Sequence, residues 1–241
     1  METVFKEVAK DVYVIALWDA SCNSYINCYL IRSGKEIFLI DSGKMEQSND
    51  LLKTLSDISI SPHDVTNIFY THGHHDHVGG NSFFPGAKKY IHASDLALIP
   101  VESRSDFSID IVDEAEKKGI ECIQIGHHSE GSALLYHRES KVMFCGDFVC
   151  FFGDPIPSDG LVSTSQEPRE IAYQFYASMA MDPKMRQDSN FEPYDLFIHG
   201  LEMMRKFDSS VLCTGHGTVL SGDIPHFLDR LLFFSTEVIN Y

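Results

Sequence analysis

The sequence predicts an α/β (α+β) fold in which two layers of sheet share one domain, residues 1–241. Three observations carry this expectation. Strands, a polar loop and a helix follow one another once before about residue 118 and once after it. No stretch of disordered composition separates the two halves. Residues able to do chemistry recur just past the ends of apolar runs, where strands stopping at one sheet edge can converge on a point.

Residues 11–17 are rich in strand formers, and runs at 27–32 and 36–40 follow, joined by a Ser33-Gly34 hairpin signal. The third run stops at Asp41-Ser42-Gly43, a carboxylate on a turn. Residues 46–58 then set Leu51, Leu52, Leu55 and Ile58 at helical spacing above a polar face. After Ser61-Pro62, residues 65–70 form a buried strand that delivers His72-Gly73-His74-His75-Asp76-His77 to a loop. A short strand is expected at 88–92, and 94–118 is a helical region broken by Pro100 and by residues 103–105.

The second half opens with a strand at 121–125 and a polar loop, 126–132. Residues 133–137 and 141–144 form a hairpin that ends at Cys145-Gly146-Asp147. The segment 148–168 has no clear period. Helical spacing returns in Ile171, Phe175 and Met179, and again in Leu196, Leu201, Met204 and Phe207. Residues 182–194 between them are polar, carry Pro183 and Pro193, and are expected to be mobile. Residues 211–214 form a strand ending at Gly215-His216-Gly217, and 223–240 a closing amphipathic helix. The single domain is thus expected to carry a helical insert at about 148–207.

Composition narrows the function before any motif does. Hydrophobic residues make up 44% of the chain and charged residues 22%, a globular balance. The net charge of −16 repels phosphate backbones, which argues against nucleic acid as a partner. No apolar run is long enough to span a bilayer, so no membrane partner is expected. The N-terminus carries acids and lacks a basic segment followed by an apolar core, which argues against a secretory signal. The six cysteines show no C-x-x-C pair and are expected as reduced thiols, consistent with a cytoplasmic setting. A small-molecule substrate is the expected partner, with homo-oligomerisation left open.

Imidazoles and a carboxylate crowd residues 72–77, and these are the ligands that a borderline metal such as zinc prefers. On an extended segment, side chains two residues apart share a side, so His72 and His74 can grip one ion. Asp76 and His77, past the bend, can turn to a second. Each pair has room for a ligand from the second half, and a carboxylate such as Asp147 can bridge the two.

His-x-His-x-Asp-His, with a later His, Asp and Gly-His, resembles the metallo-β-lactamase superfamily, and the resemblance runs through nearly the whole chain. Asp41 in Leu39-Ile40-Asp41-Ser42-Gly43 is similar to the first motif of that family and residues 72–77 to the second. His128 with Gly131-Ser132 is similar to the third, Cys145-Gly146-Asp147 to the fourth, and Gly215-His216-Gly217 to the fifth. The resemblance implies a four-layer αβ/βα sandwich: two mixed sheets with helices on the outer faces and a dinuclear site at one sheet edge. It implies one ion on His72, His74 and His128 and another on Asp76, His77 and His216. Asp147 would lie between the ions, and Asp41 behind the cluster, orienting it.

His127 is a rival to His128, but the spacing to Gly131-Ser132 favours His128. His75 is expected to point away, and His63, His92, His137, His199 and His226 have no motif around them. Cys145 reads as a buried thiol and Ser132 as part of a turn.

The expected activity is metal-dependent hydrolysis. Two divalent ions, zinc before iron or manganese, share a hydroxide that attacks the carbonyl of a small ester, thioester or lactone. Asp76 is the catalytic candidate, placed to orient that water or receive its proton. The carboxylate at 147 resembles the hydroxyacylglutathione hydrolase (glyoxalase II) and lactonase branches, whereas β-lactamases put cysteine or serine there. Flavodiiron proteins carry glutamate where this chain has His74, and homoserine-lactone lactonases carry tyrosine where it has Cys150. Glyoxalase II continues through a long helical segment, whereas 25 residues follow His216 here. The alternatives are a mononuclear iron dioxygenase of the persulfide dioxygenase type, a phosphodiesterase or nuclease, and a β-lactamase. Phe148, Phe151 and Phe152, directly after Asp147, are the candidate substrate-binding wall, with a plain core role as the competing reading.

Overall fold

The computed structural model describes residues 2–181 and 194–236. Its first sheet runs β1 (Val4–Ala9), β2 (Val12–Asp19), β3 (Ser24–Ser33), β4 (Glu36–Ile40), β5 (Val65–Phe69), β6 (Lys88–Tyr90) and β7 (Phe107–Ser108), in that order. The strands are antiparallel from β1 to β4 and parallel from β4 to β7. The second sheet is built from β8 (Ile120–Gln124), β9 (Ala133–His137), β10 (Val142–Gly146), β11 (Val162–Ser163), β12 (Val211–Thr214) and β13 (Val219–Ser221). Its order is β11-β13-β12-β10-β9-β8.

Alternation along the strands sorts their side chains between separate cores. Val14, Ala16, Tyr29, Phe38 and Phe69 of the first sheet meet Leu135, Val142, Phe144 and Cys213 of the second. Ile15, Leu17, Leu30, Leu39 and Ile68 face the other way, onto Leu51 and Leu55 of α1 (Ser48–Asp57). Leu134, Met143 and Leu212 face outward from the second sheet. They pack against Met179 of α4 (Glu167–Met181), Phe197 of α5 (Tyr194–Met204) and Phe227 of α6 (Ile224–Thr236). Each large side chain buried in this way contributes roughly 1.5–3 kcal/mol. The layers therefore stack helix, sheet, sheet, helix, the αβ/βα sandwich that the resemblance implied.

Three expectations need correction. Strand β1 precedes the first expected strand and has no buried residue; it is held to β2 by its ladder and by Phe5 stacked on Tyr13, ring centroids 5.2 Å apart. Residues 94–118 hold two 3-10 turns (Ala93–Leu98 and Val101–Asp106), β7 and a short α3 (Ile111–Glu116). Pro100 separates the two turns, and its ring keeps the preceding Ile99 extended, which ends the first of them. The helix expected from Ile171, Phe175 and Met179 is α4, whose buried face is Ala172, Tyr173, Tyr176, Met179 and Ala180, while Phe175 is 42% exposed. Within 148–207 the helices begin only at Glu167, after coil and the two-residue β11. Of the stretch expected to be mobile, residues 182–193 lie outside the described residues.

Candidate metal centre

Five polar segments leave the two sheets at one edge. Strand β4 ends at Asp41, whose φ of +60° turns its carboxylate back under the next loop. There it accepts the Thr71 N–H at 2.8 Å through Oδ1. Through Oδ2 it accepts the Thr71 hydroxyl at 2.8 Å and faces His77 Nδ1 at 2.9 Å. Strand β5 leads to His72, and the short turn α2 (His75–Val78), with His74 at its N-cap, swings Asp76 and His77 round. His128 (φ +76°) comes from the β8–β9 loop, Asp147 from the end of β10 and His216 from just past β12.

The structure brings all seven ligand candidates together. One nitrogen each from His72, His74 and His128 lie within 4.8 Å of one another, as do one ligand atom each from Asp76, His77 and His216. A third group, His72, His77 and Asp147, joins them within the same distance. Asp147 Oδ1 is 3.4 Å from His77 Nε2, and Oδ2 is 3.3 Å from His216 Nε2 and 3.5 Å from His128 Nε2. His128 Nε2 and His74 Nδ1 are 2.9 Å apart, so His128 rather than its neighbour enters the cluster. His127 instead packs against the rings of Phe148 and Phe197. His75 points to solvent, its side chain 83% exposed. Ser132 sits in the turn it was expected to form, bonded to Ser129, and burial pushes the Cys145 thiol up to about 12.

Two glycines are required for this closeness. A Cβ on Gly215 would collide with the Asp147 carboxylate, and one on Gly146 would lie 2.6 Å from Thr71 Oγ1.

The electrostatics are those of a tightly packed donor set. Burial, then neighbouring imidazoles, holds His72 well below its ordinary value, and burial also lowers His128. Burial works against charge on His216 and His77 too, but Asp147 and a second carboxylate overcome it. His216 rises to about 9 and His77 well above its ordinary range. Asp147 is held well below the carboxylate range by His216 and His77 in spite of its burial. His72 Nε2, His77 Nε2 and Asp147 Oδ1 are buried without a hydrogen-bond partner. Unsatisfied buried polar atoms cost on the order of 1–3 kcal/mol each, and three converging on one point fit a cation. The donor set, imidazole and carboxylate, suits zinc, iron or manganese.

Two residues outside the sequence-derived set hold this geometry. Asp95, 1% exposed, accepts the Gly73 N–H at 2.7 Å and the Ser129 hydroxyl at 2.7 Å through Oδ2. Its Oδ1 accepts the Gly131 N–H at 2.6 Å. Asn27, fully buried in β3, donates to the Thr214 carbonyl at 3.1 Å and the Gly217 carbonyl at 2.9 Å, bracketing His216. A sequence signal existed for each. Asp95 is an acid in the 3-10 turn five residues past β6, and Asn27 is an amide inside an apolar strand.

The cluster opens into a cavity of about 780 Å³. Phe148, Phe151 and Phe152 all border it, but differently. Phe148 and Phe151 are 2% exposed and belong to the core, whereas Phe152 is 55% exposed with its ring 4.9 Å from that of His216. No described helix is long and apolar enough to cross a membrane.

Fold and cluster together define a metal-binding αβ/βα protein. The model of the metallo-beta-lactamase superfamily matches residues 23–216, and the chain belongs to that superfamily. Among curated proteins, a hydroxyacylglutathione hydrolase of Synechococcus sp. is 33% identical over 91 residues, 35% of this chain and 34% of that protein. A protein of Methanocaldococcus jannaschii named a metallo-hydrolase is 26% identical over 105 residues, 44% of this chain and 48% of its own. The matched stretches thus span half or less of these relatives. Among solved structures, a flavoprotein from Thermotoga maritima superposes with a TM-score of 0.75 at 16% identity, covering 96% of this chain and 60% of its own. The flavodiiron protein of Giardia intestinalis gives 0.74 at 14%, covering 98% and 60%. At that identity the likeness is one of fold.

Proposed function

We propose that this protein is a dinuclear metal-dependent hydrolase of small esters, thioesters or lactones. His72, His74 and His128 would hold one divalent ion, Asp76, His77 and His216 the other, and Asp147 would contact both. Zinc is the first candidate, with iron or manganese as alternatives. The observation that carries this reading is the pairing of two three-residue donor groups on either side of one buried carboxylate. Ions held there supply Lewis acidity to a carbonyl oxygen and acidify water.

The chain's own residues supply the rest. Asp147 is kept ionised by the imidazoles around it, so both its oxygens are acceptors. Asp76 borders the cavity and is also held ionised, against burial, by His216 and His77. Its carboxylate is the group placed to orient the attacking water and take its proton. The carbonyl carbon gains the water oxygen, its bond to the alkoxide or thiolate breaks, and the proton passes to the leaving group. Asp41 keeps His77 turned inward by facing Nδ1, which leaves Nε2 aimed at the cluster. Phe152, exposed beside His216, is the strongest candidate for direct substrate contact, with Phe148 and Phe151 as the wall behind it.

The test is turnover by the purified protein across thioesters, lactones, β-lactams and phosphodiesters, alongside oxygen uptake. Thioester or lactone hydrolysis supports the reading. Oxygen consumption with one bound iron would replace it by the dioxygenase alternative, and phosphodiester cleavage by the nuclease alternative.

A further inference from the structure

The cavity wall beyond the cluster is aromatic: Phe148, Phe151, Phe152, Phe175 and Tyr176 line it. One of these rings, Phe152, is a large hydrophobic left 55% exposed, which is where a ligand rather than the core would cover it. Apart from the cluster itself, the one charged group lining the cavity among the described residues is Asp154. It is half-buried and has no hydrogen-bond or ion-pair partner among the described residues. Burial raises its pKa, and no cation among the described residues offsets the cost. Among the described residues no lysine or arginine lines the cavity, and the chain as a whole carries −16.

A carboxylate without a partner beside aromatic faces is the chemistry that receives an ammonium group. The ring faces attract a cation through their quadrupoles, and the acid gains a counter-ion it now lacks. The same surroundings repel a carboxylate or phosphate at that end.

We propose that the cavity selects acyl substrates with an apolar, aromatic-sized body and a cationic group that reaches Asp154. Asp154 and the aromatic lining of the cavity form the subsite for that group. This rests on the hydrolase reading for the identity of the reacting bond, though not for the charge preference itself. The selection acts on the group that meets Asp154, since the carbonyl must face the donor groups.

The experiment uses the metal-loaded protein and three phenylacetyl thioesters that differ in the leaving thiol. One carries trimethylammonium, one a hydroxyl and one a sulfonate, and a second set places the same charges on the ring. The expected order of kcat/KM is cation, neutral, anion, with roughly tenfold between the extremes. Asp154→Asn should collapse the cation-to-neutral ratio, and Asp154→Lys should shift the preference toward the sulfonate. The matching amides, which resist hydrolysis, give the same order by calorimetric binding. If no thioester is cleaved but the amides keep the order and lose it in Asp154→Asn, the hydrolase reading fails and the subsite stands. Equal or better use of the sulfonates in both sets, or a charge order indifferent to Asp154→Asn, overturns the subsite.

Discussion

Asp95 and Gly131 are joined by a 2.6 Å hydrogen bond, and a Cβ on Gly131 would come within 2.6 Å of the Asp95 carboxyl carbon. The same carboxylate holds the Gly73 N–H, so one buried side chain ties the loop of His72 and His74 to the loop of His128. Asp95→Asn turns one acceptor into a donor facing an N–H. We expect the His72–His74–His128 group to lose its ion roughly 10–100-fold more readily, while the Asp76–His77–His216 group keeps its own. Metal content under graded chelator reads this directly; simultaneous loss of both ions would reduce Asp95 to a general packing role.

Gly215→Ala should be as damaging as the loss of a ligand, although residue 215 touches no ion. The added methyl meets the Asp147 carboxylate and lies 2.9 Å from the His77 ring. Metal stoichiometry should fall while circular dichroism stays native. Gly86→Ala, where an added Cβ would meet nothing nearer than the His63 carbonyl oxygen at 3.9 Å, serves as the control.

The phenylalanines divide by burial. Phe151→Ala empties a core position and should cost about 3–5 kcal/mol, seen as a large fall in Tm. Phe152→Ala should leave Tm within a degree or two of wild type and raise KM instead. Matching losses of Tm in both variants would remove Phe152 from the substrate wall.

The pH response should have opposite signs with and without metal. His216 is raised in the folded metal-free chain to about 9 from an ordinary 6.5. Its contribution is therefore complete below about pH 6.5 and lost as pH rises through 9, so metal-free Tm should fall over that window. Metal ligands must be deprotonated, so the stabilisation gained on adding zinc should grow over the same window. Thermal melts at pH 6, 7.5 and 9 with and without zinc check both slopes.

How much could be read from the chain follows from how local each feature is. Residues 72–77 are conspicuous because five donors sit within six positions, and Asp41, Asp147 and His216 because each stops a strong apolar run. Asp95 and Asn27 escape that reading because their partners are backbone groups 22–36 and 187–190 positions away. Strands β7, β11 and β13 have two or three residues each, too few to show a period. The buried face of α4 is not legible from period alone, because rows at 171–175 and 172–176 are equally helical. Only the neighbours, core on one side and cavity on the other, tell them apart.

The central claim is that two ions share Asp147, and the most direct measurement is metal content per chain for wild type and Asp147→Ala. The account predicts two divalent ions in the wild type, with at least one lost in Asp147→Ala along with most hydrolysis. A single ion in the wild type, or two ions and full activity retained without the carboxylate, would contradict it.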